Sequence, residues 1–368
     1  MRKRLLLPLA TCGFLTCVAL PVKVAEVIPS AKNITIYSAG GSVVSGTAAA
    51  PSSDILKIRL PATAQGIAIV QNDQPLKWFT TQMISEPGKD PNVVQKYLQV
   101  GIPAARTGEV KFSYGLPEIK WAPRLTASIL DAKNVNLRLE AAITMNATET
   151  FKNCSVTLVL NNAVSLEKIT GHTFNLSLTE LAHGRNVAYN LESKNVSYSL
   201  LREWRTYGSK DVVHVLMQTR NPFSVDLSQT GFAVESHQIS IESGSIDEPV
   251  PPGELFSLDA GIDDSITTFR DIKITETPSK KPLPFNHKLT YRITNNSDQT
   301  KVLRLVSDRV TGVDHRSIYH FTREPDATPE KTLVWLVTLK PHSTETLQYD
   351  YDADLREVAG ETGFESGM

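Results

Sequence analysis

Apolar and polar residues alternate with a period of two along most of the chain. The alternating runs are rich in Val, Ile, Thr, Tyr and Phe, which favour half-buried, pleated strands. Examples are residues 33–37, 135–143, 187–201, 288–294 and 334–339. Turn-forming residues separate the runs about every 8–12 residues, a spacing typical of antiparallel sandwiches. The pattern therefore predicts a mainly β protein with two or three antiparallel β-sandwich domains of immunoglobulin-like type.

Helical periodicity is confined to two short stretches. Residues 91–100 could form about two or three helical turns. Residues 177–184 could form one or two, with Gly184 as a stop. No strand–helix–strand order is visible, which argues against a parallel α/β sheet. We therefore expect only a few short helices.

Segments rich in Pro and Gly mark the predicted domain boundaries. Residues 84–92 contain two Pro and one Gly, and residues 244–254 contain three Pro and two Gly. The predicted division is a signal peptide over residues 1–25, an N-terminal β domain over 26–90, a central β-sandwich over 91–248, a C-terminal β-sandwich over 249–352 and a flexible tail over 353–368.

The first residues predict an export signal. Residues 2–4 are basic, residues 5–20 form an apolar run, and residues 17–19 include the small residues that a signal peptidase requires. The run is shorter than the roughly 20 residues of a spanning helix. We expect export to the periplasm, the cell surface or the medium, with no spanning segment after cleavage. A lipoprotein and an uncleaved anchor are the alternatives.

The charge balance bears on nucleic-acid binding, and the cysteine content bears on disulfide bonds. Lys and Arg total 38 against 39 Asp and Glu, so no overall basic field attracts nucleic acid, and none is expected as a partner. Cys12 and Cys17 lie in the predicted leader, which leaves Cys154 unable to form an intrachain disulfide. Cys154 lies in an alternating apolar run and is predicted to be a buried small hydrophobe.

The stretch 112–130 places a tryptophan and a proline between two alternating segments. Pro123 has no N–H for a strand ladder, so it predicts a strand start or a sheet edge. Trp121 is large enough to fill a gap between two sheets, and its indole N–H needs one partner. We interpret the pair as a structural corner that takes the chain from one sheet to another. A tryptophan that stacks on a ligand is the alternative.

Further motifs follow the same alternating design. Residues 251–254 (Pro-Pro-Gly-Glu) predict a turn that enters a strand. Residues 295–298 predict a hairpin turn, and residues 341–343 predict a similar link between two strands. Trp335 is predicted to point into the core from the penultimate strand.

Residues 106–352 resemble the bacterial DUF4139 family, which includes the mucoidy-inhibitor A-like proteins. The similarity comprises a Trp-x-Pro unit, a Pro-Gly-Glu turn followed by Gly-x-Asp, a Tyr-x-Ile strand with a following Asn, and closing Trp and Tyr-x-Tyr strands. The residues that carry it are Trp121, Pro123, Gly253, Asp263, Tyr291, Asn295, Trp335 and Tyr349. The resemblance implies structural roles for these residues.

The chain departs from the family pattern at two places. Family members usually have a Gly-Glu-Asp-Trp-like turn where residues 148–151 are Thr-Glu-Thr-Phe. Many members also carry a long coiled coil, whereas only some 25 residues separate Thr81 from Arg106 here.

Candidate chemistry is sparse. Asp259, Asp263 and Asp264 form an acidic cluster that could bind Ca²⁺, but the spacing does not match an EF-hand and favours solvated turn acids. His315 and His320, with Asp314, are a weak candidate for a metal site. No hydrolase elbow, zincin motif or phosphate-binding loop is present. The sequence thus predicts no catalytic, cofactor-binding or metal-binding residue.

Three functions are compatible with these observations. The first is an exported, non-enzymatic cell-envelope protein that binds an envelope protein or a glycan, or acts as a scaffold. The second is an exported hydrolase of glycans or peptides, with Asp263 and Glu149 as carboxylates about 5–10 Å apart. The third is a metal-dependent adhesin. Any binding surface is expected on strand edges or end loops, such as residues 308–332.

Overall fold

A computed structural model gives the architecture of most of the chain. It describes residues 23–27, 30–38, 40–50, 55–71, 74–75, 80–85, 94–101, 108–147, 149–161, 171–206, 211–236, 239–277, 284–308, 319–329 and 332–353. These residues form strands and turns without a helix, so the mainly β prediction is confirmed. Within the same ranges there is no helix long and apolar enough to cross a membrane.

The strands follow one another along the whole described chain. Their bounds are β1 Val24–Val27, β2 Ser30–Tyr37, β3 Ser42–Ala50, β4 Ile55–Leu60, β5 Gln65–Gln71, β6 Gln74–Pro75, β7 Thr80–Ser85, β8 Val94–Gly101, β9 Gly108–Leu116, β10 Ile119–Ile129, β11 Asn134–Met145, β12 Phe151–Asn161, β13 Gly171–Leu181, β14 Arg185–Ser197, β15 Ser199–Arg205, β16 His214–Arg220, β17 Thr230–Ser236, β18 Ile239–Ile246, β19 Leu255–Ile262, β20 Ile266–Glu276, β21 Phe285–Asn295, β22 Lys301–Asp308, β23 Tyr319–Phe321, β24 Thr332–Leu339 and β25 Thr344–Ala353.

Both predicted helices are wrong. Most of residues 91–100 lie in β8, which pairs antiparallel with β4 and β7 and buries Leu98 and Val100. Residues 177–181 belong to β13, and Gly184 follows in a turn with φ +70°. Pairing with neighbouring strands outweighed the weak helical pattern, because local propensity is small beside tertiary burial.

The chain divides into two compact units. Unit 1 comprises Met1–Trp121, Thr144–Leu160 and Thr173–Asn186. Its described strands form a four-stranded sheet, β1-β4-β8-β7, and a seven-stranded sheet, β13-β12-β2-β3-β9-β5-β6. The predicted boundary near residue 90 lies outside the described residues, and the one near residue 248 lies between β18 and β19. The domain boundaries stay predictions.

Unit 2 comprises Ala122–Ile143, Asn161–His172 and Val187–Met368. Its sheets have the orders β14-β11-β10-β17-β18, β19-β16-β15-β22-β24 and β20-β21-β25-β23. The last two sheets enclose one hydrophobic core in which Trp204, Tyr291 and Trp335 are almost fully buried. These two sheets therefore form a β-sandwich, whose inner faces carry the alternating apolar residues.

The predicted hairpin at residues 295–298 is wrong, and so is the similar link at residues 341–343. Strand β21 pairs with β20 and β25, whereas β22 pairs with β15 and β24. Both loops thus carry the chain from one sheet of the sandwich to the other. Alternation on either side of a turn is the same for a hairpin and a sheet crossing, so the sequence could not separate them.

Candidate functional site

Trp121 and Pro123 lie within a continuous strand, so the predicted strand start or sheet edge at Pro123 is wrong. The chain does pass from one sheet to another close by, between β9 and β10. β10 extends from Ile119 to Ile129 without interruption, and its register with β17 covers Arg124 to Ile129. Pro123 therefore does not start the strand, although pairing with β17 begins directly after it. Trp121 is 3% exposed and meets the Phe174 ring edge-on at 6.4 Å. This burial leaves no open indole face for a ligand.

Trp335 and two tyrosines of the resemblance meet in the sandwich core. The Tyr349 ring lies 5.7 Å from Trp335 and 6.0 Å from Tyr291. The Trp335 indole donates to the Arg323 carbonyl at 3.0 Å. Ser307 Oγ lies 2.8 Å from the Tyr291 hydroxyl and 2.9 Å from that of Tyr349. Burial, together with Tyr291, raises the pKa of Tyr349.

Asn295 forms hydrogen bonds within two of the loops that cross between sheets. Its side chain is buried, and its amide donates to the carbonyls of Gln299 at 2.8 Å and Lys340 at 3.0 Å. Its carboxamide oxygen accepts the Ser297 N–H at 3.1 Å. Asn295 therefore organises loops and presents no polar group to solvent.

Gly253 forms the predicted turn into β19. The Glu254 N–H donates to the Pro251 carbonyl at 3.1 Å, and Gly253 has φ +83°. This left-handed conformation favours glycine, because a side chain would be strained there. The turn predicted for residues 251–254 is confirmed.

Asp263 is the centre of an ion-pair cluster. Lys301 Nζ lies 2.7 Å and Arg202 Nε 2.6 Å from its carboxylate, and the Ser265 hydroxyl also donates to it. The side chains of Asp263 and Lys301 are each 10% exposed. Burial alone would raise the pKa of Asp263, but the bonds from Lys301, Ser265 and Arg202 hold it far below 3.8. Asp263 is thus a buried ion-pair residue, and its description as a solvated turn acid is wrong.

The other candidate ligands do not converge on one site. Asp259 accepts the Gly261 N–H at 2.9 Å and lies 2.7 Å from His214 Nδ1. His320 lies 3.3 Å from Asp350, whereas His315 and Asp314 are outside the described residues. Across the described ranges, no group of three or more His, Cys, Asp or Glu is placed to hold a metal ion.

Glu149, a candidate hydrolase carboxylate, and Cys154, predicted to be a buried small hydrophobe, both belong to unit 1. Glu149 is half-buried in unit 1, whereas Asp263 belongs to unit 2. Cys154 is 3% exposed, and burial raises the pKa of its thiol. The thiol is therefore a buried small hydrophobe, as its alternating run predicts.

Comparison of the chain with models of protein families found no match, and comparison with curated proteins also found none. The resemblance to the DUF4139 family stays a prediction.

The two outer faces of the sandwich differ in chemistry. On β20, β21 and β25 the residues that alternate with the core ones are polar apart from one phenylalanine; we call this the polar face. It comprises Thr267, Phe269, Asp271, Lys273, Lys288, Thr290, Arg292, Thr294, Thr344, Thr346, Gln348 and Asp350. Arg292 lies over the Phe269 ring, 5.5 Å from its centroid. Such a face is typical of a sheet that meets water.

The outer face of the other sheet mixes apolar residues with arginines; we call it the arginine face. Its members are Ser199, Leu201, Glu203, Arg205, His214, Leu216, Gln218, Arg220, Leu255, Ser257, Asp259, Ile262, Val302, Arg304, Val306, Val334, Leu336 and Thr338. Four of these are large apolar residues with about half of their surface exposed: Leu255 at 56%, Ile262 at 52%, Val302 at 49% and Leu336 at 48%.

A buried carboxylate lies in the middle of the arginine face. Glu203 has a side-chain exposure of 3%, with His214 on one neighbouring strand and Arg304 on the other directly opposite it. Arg304 Nε donates to Glu203 at 2.5 Å, and Arg205 Nε donates to the second carboxylate oxygen. A carboxylate is buried at such a position only when cations compensate its lost hydration.

The arginine face also borders an open groove. The groove has a volume of about 470 Å³, and its lining includes Tyr198, Arg220 and Leu255. The sequence pattern does not predict this face, because residues 187–201 alternate like one continuous strand. In the structure the run breaks at Tyr198, and the chain enters β15 in another sheet. The charge pattern Arg-Glu-x-Arg at residues 202–205, inside an apolar strand, was the available signal.

Proposed function

We propose that the chain is an exported, non-enzymatic cell-envelope protein that binds another envelope protein through the arginine face. The observation that carries the proposal is the contrast between the two outer faces of one sandwich. The polar face has the composition of a hydrated surface, whereas the arginine face exposes four large apolar residues around a fixed ion cluster. Exposed apolar residues gathered on one face are typical of interaction sites.

The ion cluster suits the centre of a protein interface. Glu203 carries one negative charge against the two positive charges of Arg205 and Arg304, so the cluster has a net charge of +1. Its carboxylate holds both guanidinium groups in place before a partner arrives, which reduces the entropy that binding must remove. Arginine beside apolar residues is a composition enriched at interface hot spots.

The surroundings of Asp263, the candidate acid of a hydrolase, support that alternative less than the binding proposal. Asp263 is held by Lys301 and Arg202 and has a lowered pKa. A general acid for glycoside hydrolysis needs a raised pKa and access to the leaving group. The ion pairs suit a structural role for Asp263, which agrees with the binding proposal.

Site-specific photo-crosslinking in the native envelope tests the proposal. A photoreactive residue at Leu336 probes the arginine face, and one at Thr346 is the matched control on the polar face. We expect a protein adduct from position 336 that Arg304→Ala weakens, and none from position 346. Adducts of equal yield from both positions, or none from position 336, would contradict the proposed surface. A glycan partner would give no protein adduct at either position.

A further inference from the structure

Strand β14 is an open sheet edge of unusual length for this chain. It spans thirteen residues, more than any other described strand, and it ends the sheet β14-β11-β10-β17-β18. None of its side chains is buried. A long edge presents unpaired N–H and C=O groups on which another strand can pair.

The chain covers a comparable edge elsewhere in the same unit. β24 ends its own sheet, and the Leu336 N–H donates to Asp326 Oδ2 at 2.7 Å. Arg323 Nη2 donates to the Leu336 carbonyl at 2.9 Å. These bonds occupy backbone groups at the edge of β24. On β14 the Thr219 hydroxyl donates to the carbonyl of the last residue, Ser197, at 2.9 Å. Within the described ranges no side chain donates to or accepts from the backbone of residues 185–196.

The side-chain bonds of β14 point towards its own sheet. Asn136 of β11 donates to Asn195 at 2.6 Å and to the Ser193 hydroxyl at 2.9 Å. These bonds order the C-terminal half of β14 without occupying its outer edge. These bonds hold β14 in an ordered conformation, so its outer edge can pair with another strand.

The charges of β14 select one antiparallel register with a second copy of the same strand. With Ser193 on a two-fold axis, Glu192 faces Lys194 of the other copy, and the same pair forms again on the other side of the axis. Registers centred on Glu192 or on Lys194 place like charges opposite each other, which is destabilising. Residues 190–196 of each copy overlap in the favourable register, which leaves out Ser197, whose carbonyl accepts the Thr219 hydroxyl.

We propose that two copies of this chain associate through β14 in the register centred on Ser193 and form one continuous sheet. Charged edge residues often prevent edge-to-edge pairing. Here Glu192 and Lys194 oppose the neighbouring registers and support this one. The proposal does not depend on the arginine face, which lies on another sheet.

Sedimentation velocity of the mature chain over a wide range of concentrations tests the association. We expect a monomer–dimer equilibrium that Glu192→Lys or Lys194→Glu each weakens about tenfold or more, because each change places like charges opposite each other twice. The double reversal, Glu192→Lys with Lys194→Glu, restores both pairs and should return the dimerisation constant to within about threefold of the parent. A sedimenting monomer at every concentration would overturn the proposal.

Matched variants locate the interface. Asp271 and Lys273 repeat the acid-x-lysine spacing on β20, which ends another sheet, so Lys273→Glu should leave the dimer unchanged. Ser193→Cys places two thiols across the two-fold axis and should give a disulfide-linked dimer, because directly opposed residues lie within disulfide range. Ser197→Cys should not. Loss of the dimer in Lys273→Glu, or equal cross-linking at both cysteine positions, contradicts the assignment to β14.

Discussion

Asp263 illustrates how a single residue differs from its appearance in the sequence. It follows β19 in an acidic turn, yet it is paired with Lys301 and Arg202 and accepts the Ser265 hydroxyl. Lys301 is 38 positions and Arg202 is 61 positions away along the chain. Glu203 is a similar case, because its partner Arg304 lies on a strand that is distant in sequence. Ion pairs of this kind depend on strand register and not on local pattern.

Asp263→Asn should lower the free energy of unfolding by about 2–4 kcal/mol at neutral pH, because two partly buried cations lose their counter-charge. The folded-state pKa of Asp263 lies below its ordinary 3.8, so its contribution is complete above that value and is lost as pH falls towards the lowered pKa. Urea unfolding should therefore show a difference between parent and variant that narrows in acid. Asp264→Asn, at the exposed neighbouring position, should change stability by less than about 0.5 kcal/mol.

Tyr349→Phe tests the buried hydroxyl network. The change removes the group that bonds Ser307 while it keeps the ring packed between Trp335 and Tyr291. We expect a loss of about 1–2 kcal/mol by denaturant titration, which is typical when a buried hydrogen bond is broken. The control is Tyr198→Phe, whose hydroxyl bonds the Asp131 carbonyl at an exposed site. Equal losses in the two variants would mean that burial does not strengthen the network.

At the scale of the elements, the loops that cross between sheets define the sandwich. The chain passes from one sheet to the other after each of β19, β21, β22, β23 and β24. Asp263 lies in the crossing after β19, and Asn295 begins the crossing after β21. The Asn295 N–H donates to the Ser343 carbonyl, in the crossing after β24, at 2.9 Å. Asp263 and Asn295, which belong to the family resemblance, thus form hydrogen bonds in loops. The strands of this fold are regular, so specific polar contacts are needed mainly in the connections between them.

Gly253→Ala should destabilise the turn into β19. The residue has φ +83°, and a Cβ there would meet no atom within 4 Å, so the cost comes from the backbone alone. We expect a loss of about 1–2 kcal/mol, the cost of a left-handed conformation for an L-residue. Gly231→Ala is the matched control, because Gly231 lies in β17 with no positive φ and its Cβ would only touch the Gly244 carbonyl oxygen at 4.0 Å. The thermal midpoint of Gly231→Ala should stay near that of the parent. If the midpoint of Gly231→Ala falls further than that of Gly253→Ala, the left-handed φ of Gly253 is not the cause of the loss.

At the scale of the whole molecule, the period-two pattern determined where most strands lie and which of their residues face a core. It identified Trp335 and Tyr291 as alternating strand residues, and both are buried. It failed at β8, β13 and the break at Tyr198, where short segments fit more than one backbone conformation. Those segments took their final form from hydrogen bonds with strands distant in sequence.

The sequence by itself determined a β protein with alternating faces, because side-chain direction in a strand depends only on position along the strand. The tertiary structure decided which strands share a sheet, which turns cross between sheets, and which charges meet. Only the tertiary structure distinguished the polar face from the arginine face, because strands with the same apolar–polar alternation can form either outer surface. The physical reason is that strand pairing is long-range: register brings Glu203 to Arg304 and Asp263 to Lys301, and no local rule contains that information.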